Sequence, residues 1–183
     1  MNIAVFPVKS EDFYFKPDNT LVKDGSDYFI PDIIDTLYAS AAFVVRINKA
    51  VKYTTPDFAG RYYSEVAFGC ILNPADIVKT SSPFSSGLAL AMDHTAYLTD
   101  KYADKTGLSG ELSFSFGKKE FRITMSEEYL KIADRAIERV SRYCSLKSGD
   151  LIFLELAEMS EIKRGEEISL CYSEALSFNF LIR

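Results

Sequence analysis

The chain has 183 residues and is 48% hydrophobic, which suits a single domain with a core large enough to fold without disulfides or structural metal. Its 26 acidic residues outnumber its 21 Lys and Arg, giving a net charge of -5, and the cations form no stripe, which excludes a nucleic-acid surface. Cys70, Cys144 and Cys171 are odd in number and far apart, which excludes a disulfide framework and points to reduced, partly buried thiols in the cytoplasm. No stretch approaches the ~18 to 20 apolar residues of a membrane span, and Met1 to Val8 lacks a basic leader and a cleavage site.

In chain order, the first clear element is the apolar run Phe43-Val44-Val45-Arg46-Ile47, preceded by Ser40 and Ala42. These two are two residues apart, so on an extended strand they share a face. Thr55-Pro56-Asp57 reads as a helix start, with a hydroxyl cap and proline at the first position, and Phe58, Ala59, Tyr62 and Tyr63 predict an apolar stripe ending near Ser64. Leu112 to Phe116 alternates apolar and polar residues, and Gly117-Lys118-Lys119 turns it into Glu120 to Thr124, a hairpin pattern.

A second helix opens at Ser126 with Glu127 and Glu128 in its first turn, and Leu130, Ala133, Ile137, Val140 and Cys144 form one stripe for packing on a sheet. Gly149-Asp150 then leads into Leu151 to Leu154, a continuous apolar run suited to a strand buried on both faces. Ile168 to Tyr172 and Leu176 to Ile182 complete the set. The pattern predicts an α+β fold, mostly β, with two main helices.

Five segments in order resemble the fumarylacetoacetate hydrolase family, in particular its small single-domain branch of 2-hydroxyhepta-2,4-diene-1,7-dioate isomerases and acylpyruvate hydrolases. They are Phe13-Tyr14-Phe15-Lys16-Pro17 through Leu21, Tyr28 to Pro31, Phe43 to Ile47, Ala59 to Gly69, and Ser145-Leu146-Lys147-Ser148-Gly149-Asp150-Leu151-Ile152. The resemblance implies a rolled β-sheet core over a single domain, 1–183, lacking the usual N-terminal catalytic segment with its His and Glu. It also implies a dication held by a Glu-x-Glu pair and an Asp, which polarises a keto or enol carboxylate substrate.

Those three ligand positions fall on Ser40, Ala42 and Ile71 in this sequence, none of which is an acid. The family's arginine beside the third ligand matches Ala75, and its Thr-Gly-Thr-Pro loop reads Leu154-Glu155-Leu156-Ala157. Losing three anionic ligands together removes the electrostatic basis for holding the ion. Lys79 and Lys16 match family lysines; each reads as an ordinary surface lysine or as the remnant of an anion-binding pocket.

His94, the lone histidine, follows Asp93 and reads as an exposed loop residue rather than a proton relay. Glu155, Glu158 and Glu161 read as a solvated connection. Tyr97, Tyr102 and Tyr129 read as core, with a subunit contact as the alternative.

Two functional expectations follow from the resemblance. The first is a non-catalytic binding or interaction subunit with no cofactor, pairing with itself or with an intact paralogue, and taking a small carboxylate as ligand. The second is an active Mg- or Mn-dependent isomerase or hydrolase whose ligands have moved to other acids such as Asp76, Glu155 or Glu158.

Overall fold

A computed structural model describes residues 1–78 and 82–183. The strands are β1 (Asn2–Phe6), β2 (Tyr14–Pro17), β3 (Leu21–Val22), β4 (Leu37–Ile47), β5 (Tyr63–Pro74), β6 (Ala96–Leu98), β7 (Ala103–Asp104), β8 (Gly110–Phe116), β9 (Lys119–Met125), β10 (Leu151–Glu155), β11 (Ser160–Ile162), β12 (Glu167–Ser173) and β13 (Leu176–Leu181). The helices are α1 (Pro56–Ala59), α2 (Ala75–Val78), α3 (Pro83–Ala91) and α4 (Glu127–Tyr143).

The larger sheet runs β2-β1-β10-β4-β5-β6-β3, with β11 added to β4 and β7 to β5, and curls into a half-barrel. The smaller sheet runs β13-β12-β8-β9. Strand β1 lies parallel to β10, while β4 is antiparallel to both of its neighbours, β10 and β5. This is the mostly β architecture the pattern predicts, rolled as the resemblance implies.

The two-residue period of a strand sorts the long central strands into two interiors. From β4, Ala39, Ala41, Phe43, Val45 and Ile47 enter a large core shared with Ala133, Ile137 and Val140 of α4 and with Leu112, Phe114, Ile168 and Phe180 of the smaller sheet. Ala42 and Val44 face the other way, into a smaller cluster with Ile3, Val5, Ala67, Ile71, Ala96, Leu98, Leu151 and Phe153. Both faces are therefore covered, which is why β4 and β10 read as unbroken apolar runs.

Helix α4 packs by the predicted stripe, with Glu127 and Glu128 at the positive end of its dipole and Arg142 at the negative end. The 110–125 hairpin pairs in register from Gly110 and Met125 to Phe116 and Lys119, with Gly117 at φ 58° in its turn.

Two helix expectations are corrected. The first predicted helix is a single turn, α1, because Gly60 follows Ala59 and the chain extends again from Tyr63, which pairs with Ile47. Tyr63 instead sends its hydroxyl to the Leu130 carbonyl at 3.3 Å. A helix absent from the sequence pattern, α3, starts at Pro83 behind Ser82, whose hydroxyl accepts the Ser85 N–H while Ser85 Oγ accepts the Ser82 N–H. No helix among the described residues is long and apolar enough to cross a membrane.

Candidate functional site

The three positions singled out from the sequence come together on one face of the half-barrel. Ser40 and Ile71 are direct cross-strand partners, and Ala42 lies one pleat along, opposite Gly69 on β5 and Glu155 on β10. Same-face partners in adjacent strands lie ~5 Å apart at Cβ, so acids here would converge on one point. Instead the point is filled with hydrocarbon. Ala42 is fully buried and Ile71 is 1% exposed.

Phe153 closes over Gly69, where an added Cβ would meet the ring at 2.7 Å and would also collide with the Tyr97 carbonyl. Ser40, also fully buried, donates its hydroxyl to the Ala157 carbonyl at 2.9 Å and so ties down the connection after β10. One engaged hydroxyl, a methyl and a sec-butyl group do not make a dication site, whose oxygen ligands are several and mostly anionic.

Charge does enter this face, from different residues. Lys16 is 2% exposed, which corrects the surface reading, and it sits on β2 opposite Ile3 of β1. Glu155 ends β10 at 8% exposed, which corrects the reading of it as part of a solvated connection. Burial pushes the Glu155 carboxyl up to about 7, against the backbone N–H of Val8 and the positive charge of Lys16, which both favour ionisation.

Burial likewise holds the Lys16 ammonium down at about 8, opposed by the charge of Glu155. Tyr14, two residues before Lys16, is raised by burial and then by Glu155. Tyr14, Lys16 and Glu155 thus form a titratable cluster at the mouth of an apolar face. One oxygen of it, Glu155 Oε1, is buried without a hydrogen-bond partner among the described residues.

The other expectations resolve individually. Lys79 lies outside the described residues. Among the described residues no three His, Cys, Asp or Glu side chains group closely enough to hold an ion. Asp76 accepts the backbone N–H groups of Asp35 and Thr36 at the start of β4, and Glu158 and Glu161 are exposed.

His94 is exposed at φ 59°, and Asp93 beside it accepts from Asn19. Tyr97 is core, 1% exposed, stacked at 3.6 Å on Phe180 with its hydroxyl on the Ser26 carbonyl; Tyr102 and Tyr129 are half-buried. The cysteines are free, with Cys70 buried and Cys171 exposed.

Comparison with solved structures places this architecture. The chain resembles 5-carboxymethyl-2-hydroxymuconate delta-isomerase from Mycobacterium smegmatis, with a TM-score of 0.81 and 14% identity over 99% of this chain and 78% of that one. It resembles 2-hydroxyhepta-2,4-diene-1,7-dioate isomerase from Mycobacterium marinum at 0.79 and 15%, over 99% and 73% of the two chains. A fumarylpyruvate hydrolase from Pseudomonas aeruginosa, solved with Mn²⁺ and pyruvate, matches at 0.76 and 16%, over 93% and 78%. These neighbours are fumarylacetoacetate hydrolase-family proteins, and the chain has their fold. No family model and no curated protein matches the sequence.

Proposed function

We propose that this protein is a non-catalytic relative of the fumarylacetoacetate hydrolase-type enzymes, a binding or interaction subunit in which hydrocarbon has replaced a dication site. The observation that carries this reading is the register of β4, β5 and β10. Ser40, Ala42 and Ile71 meet on one buried face, and Phe153 packs into the space between the strands. Three neutral side chains cannot repay the dehydration of a hard dication.

In this reading the remaining charge is organic: Lys16 supplies a buried cation to which a small carboxylate is drawn. The partner is a second copy of the chain or an intact paralogue. Three unpaired thiols suit the reducing cytoplasm.

The test is turnover of acetylpyruvate, followed at the ultraviolet band of its enol, with Mg²⁺ or Mn²⁺ present at millimolar concentration. The expected result is a rate equal to that of the metal ion alone. Metal-dependent hydrolysis that disappears on Glu155→Gln or Asp76→Asn would establish the active enzyme with relocated ligands instead.

A further inference from the structure

The smaller sheet ends at β9, which pairs with β8 on one side only. Among the described residues, no backbone hydrogen bond outside the hairpin reaches 119–125. Which groups this leaves open follows from one observed bond. The Gly117 N–H donates to the Glu167 carbonyl of β12 at 2.9 Å. By the two-residue alternation of an antiparallel ladder, Ser115 and Ser113 also bond towards β12, while Phe116, Phe114 and Leu112 bond towards β9. Their partners Lys119, Phe121 and Ile123 therefore use their N–H and C=O groups within the hairpin, and Glu120, Arg122 and Thr124 point theirs outward.

Two devices that commonly blunt an exposed edge are missing from this one. The strand has no proline, and its register with β8 runs without a bulge. The apolar side is also incompletely covered at the edge. Phe121 and Ile123 are half-buried, whereas Phe114 and Leu112, opposite them on β8, are buried.

Charge is the device that remains, and its order selects the partner. On the outer face the Arg122 guanidinium pairs with Glu120 at 3.0 Å and with Glu111 at 3.2 Å. An antiparallel copy of β9, related by a two-fold axis through Phe121, sets Glu120 opposite the second copy's Arg122 and Arg122 opposite its Glu120. Centring the axis on Glu120 or on Arg122 would instead set like charges face to face, and centring it on Ile123 would set Arg122 opposite a neutral threonine. In the Phe121-centred register the two charged pairs are also the pairs that exchange N–H···O bonds, because their backbone groups already face outward. The two Phe121 rings meet at the axis on the apolar side.

We propose that β9 is a self-association edge, at which two copies of this chain join antiparallel through residues 119–123 and extend the smaller sheet across a two-fold axis. The edge takes up the self-pairing named above and uses no residue of the Ser40, Ala42 and Ile71 face. Loss of catalysis is judged by acetylpyruvate turnover, so the two readings fail separately.

The test follows the full chain by sedimentation velocity and by amide hydrogen exchange in NMR, each across protein concentration. The expected result is a monomer–dimer equilibrium in which exchange at the Glu120 and Arg122 amides slows at least tenfold as the dimer forms. Arg122→Pro removes an outward N–H without touching the ladder to β8 and gives a monomer. Glu120→Arg and Arg122→Glu each weaken the dimer at least tenfold, and the two changes together restore it. A monomer at every concentration, or a dimer whose formation leaves both amides exchanging as they do in the monomer, would overturn the proposal on the unaltered chain. A dimer that survives Arg122→Pro, or a double variant no tighter than either single one, would overturn it as well.

Discussion

The two faces of the half-barrel have the same strands and different chemistry. The large core, between the sheet and α4 with the smaller sheet, is mainly hydrocarbon, with the hydroxyls of Tyr63 and Tyr97 bonded to backbone carbonyls, and most of its side chains follow from amphipathic periodicity. The smaller cluster on the opposite face holds Ala42 and Ile71, two of the positions that the sequence resemblance singles out, and it is apolar at the centre, with Lys16, Tyr14 and Glu155 at its edge. On the proposed reading, the contrast teaches that a sheet can keep its fold while one face exchanges metal coordination for packing, with Phe153 over Gly69 filling the space.

The sharpest way to break this comparison is to hollow each face in turn. Phe43→Ala in the large core and Phe153→Ala in the small one each remove a fully buried ring, and each lowers stability by roughly 3–5 kcal/mol in urea unfolding. A loss under about 1 kcal/mol for Phe153→Ala would mean that the small face is a working cavity and not a packed core.

Next in size is the buried cation. Lys16→Met leaves Glu155 without its nearest positive charge and costs about 3 kcal/mol, whereas Lys16→Met combined with Glu155→Leu recovers most of that loss, because two apolar side chains need no pairing. Equal losses in the single and double variants would show that the two groups are not coupled.

The pH profile sharpens the same point, with an effect of roughly 2–3 kcal/mol on each side. Glu155 titrates at about 7 in the folded protein against 4.5 for the ordinary group, so the native state binds the extra proton between those values. Its contribution is complete below pH 4.5 and is lost as pH rises through 7. Lys16 titrates at about 8 against 10.5, so here the unfolded chain binds the extra proton, and stability rises from pH 8 to 10.5. Subtracting the Glu155→Gln profile from that of the unaltered protein isolates the first limb, and a flat difference between pH 4.5 and 7 would refute the burial of a protonatable Glu155.

The smallest effect is at Ser40, whose hydroxyl holds the Ala157 carbonyl. Ser40→Ala costs about 1 kcal/mol in thermal unfolding. A gain in stability would show that the hydroxyl is strained and not structural.

How much of this was legible follows from whether the deciding forces are local. The hairpin, α4 and β10 each announce themselves by a period or an unbroken apolar run, and the two-residue spacing of Ser40 and Ala42 correctly puts them on one face. α1 is shorter than its sequence stripe, which runs on through Tyr62 and Tyr63, because the long-range pairing of Tyr63 with Ile47 of β4 decides otherwise. α3 carries no charge to mark a polar face, so only its Ser82-Pro83 start and Ser85 signal it.

The burial of Lys16 and Glu155 escapes the sequence for one reason: it comes from β1, from Val8 and from each other, all set by tertiary contacts across long sequence separations. Composition favours exposure for such residues, and no local pattern overrides it.

The central claim, that the dication positions have become packing, is tested most directly by titrating Mn²⁺ into the protein by calorimetry while following its thermal unfolding. The account predicts no heat beyond dilution and no rise in melting temperature up to millimolar ion, since an ion bound only by the folded state must stabilise it. Micromolar binding with a raised melting temperature, abolished by Glu155→Ala, Asp76→Ala or Glu158→Ala, would contradict it.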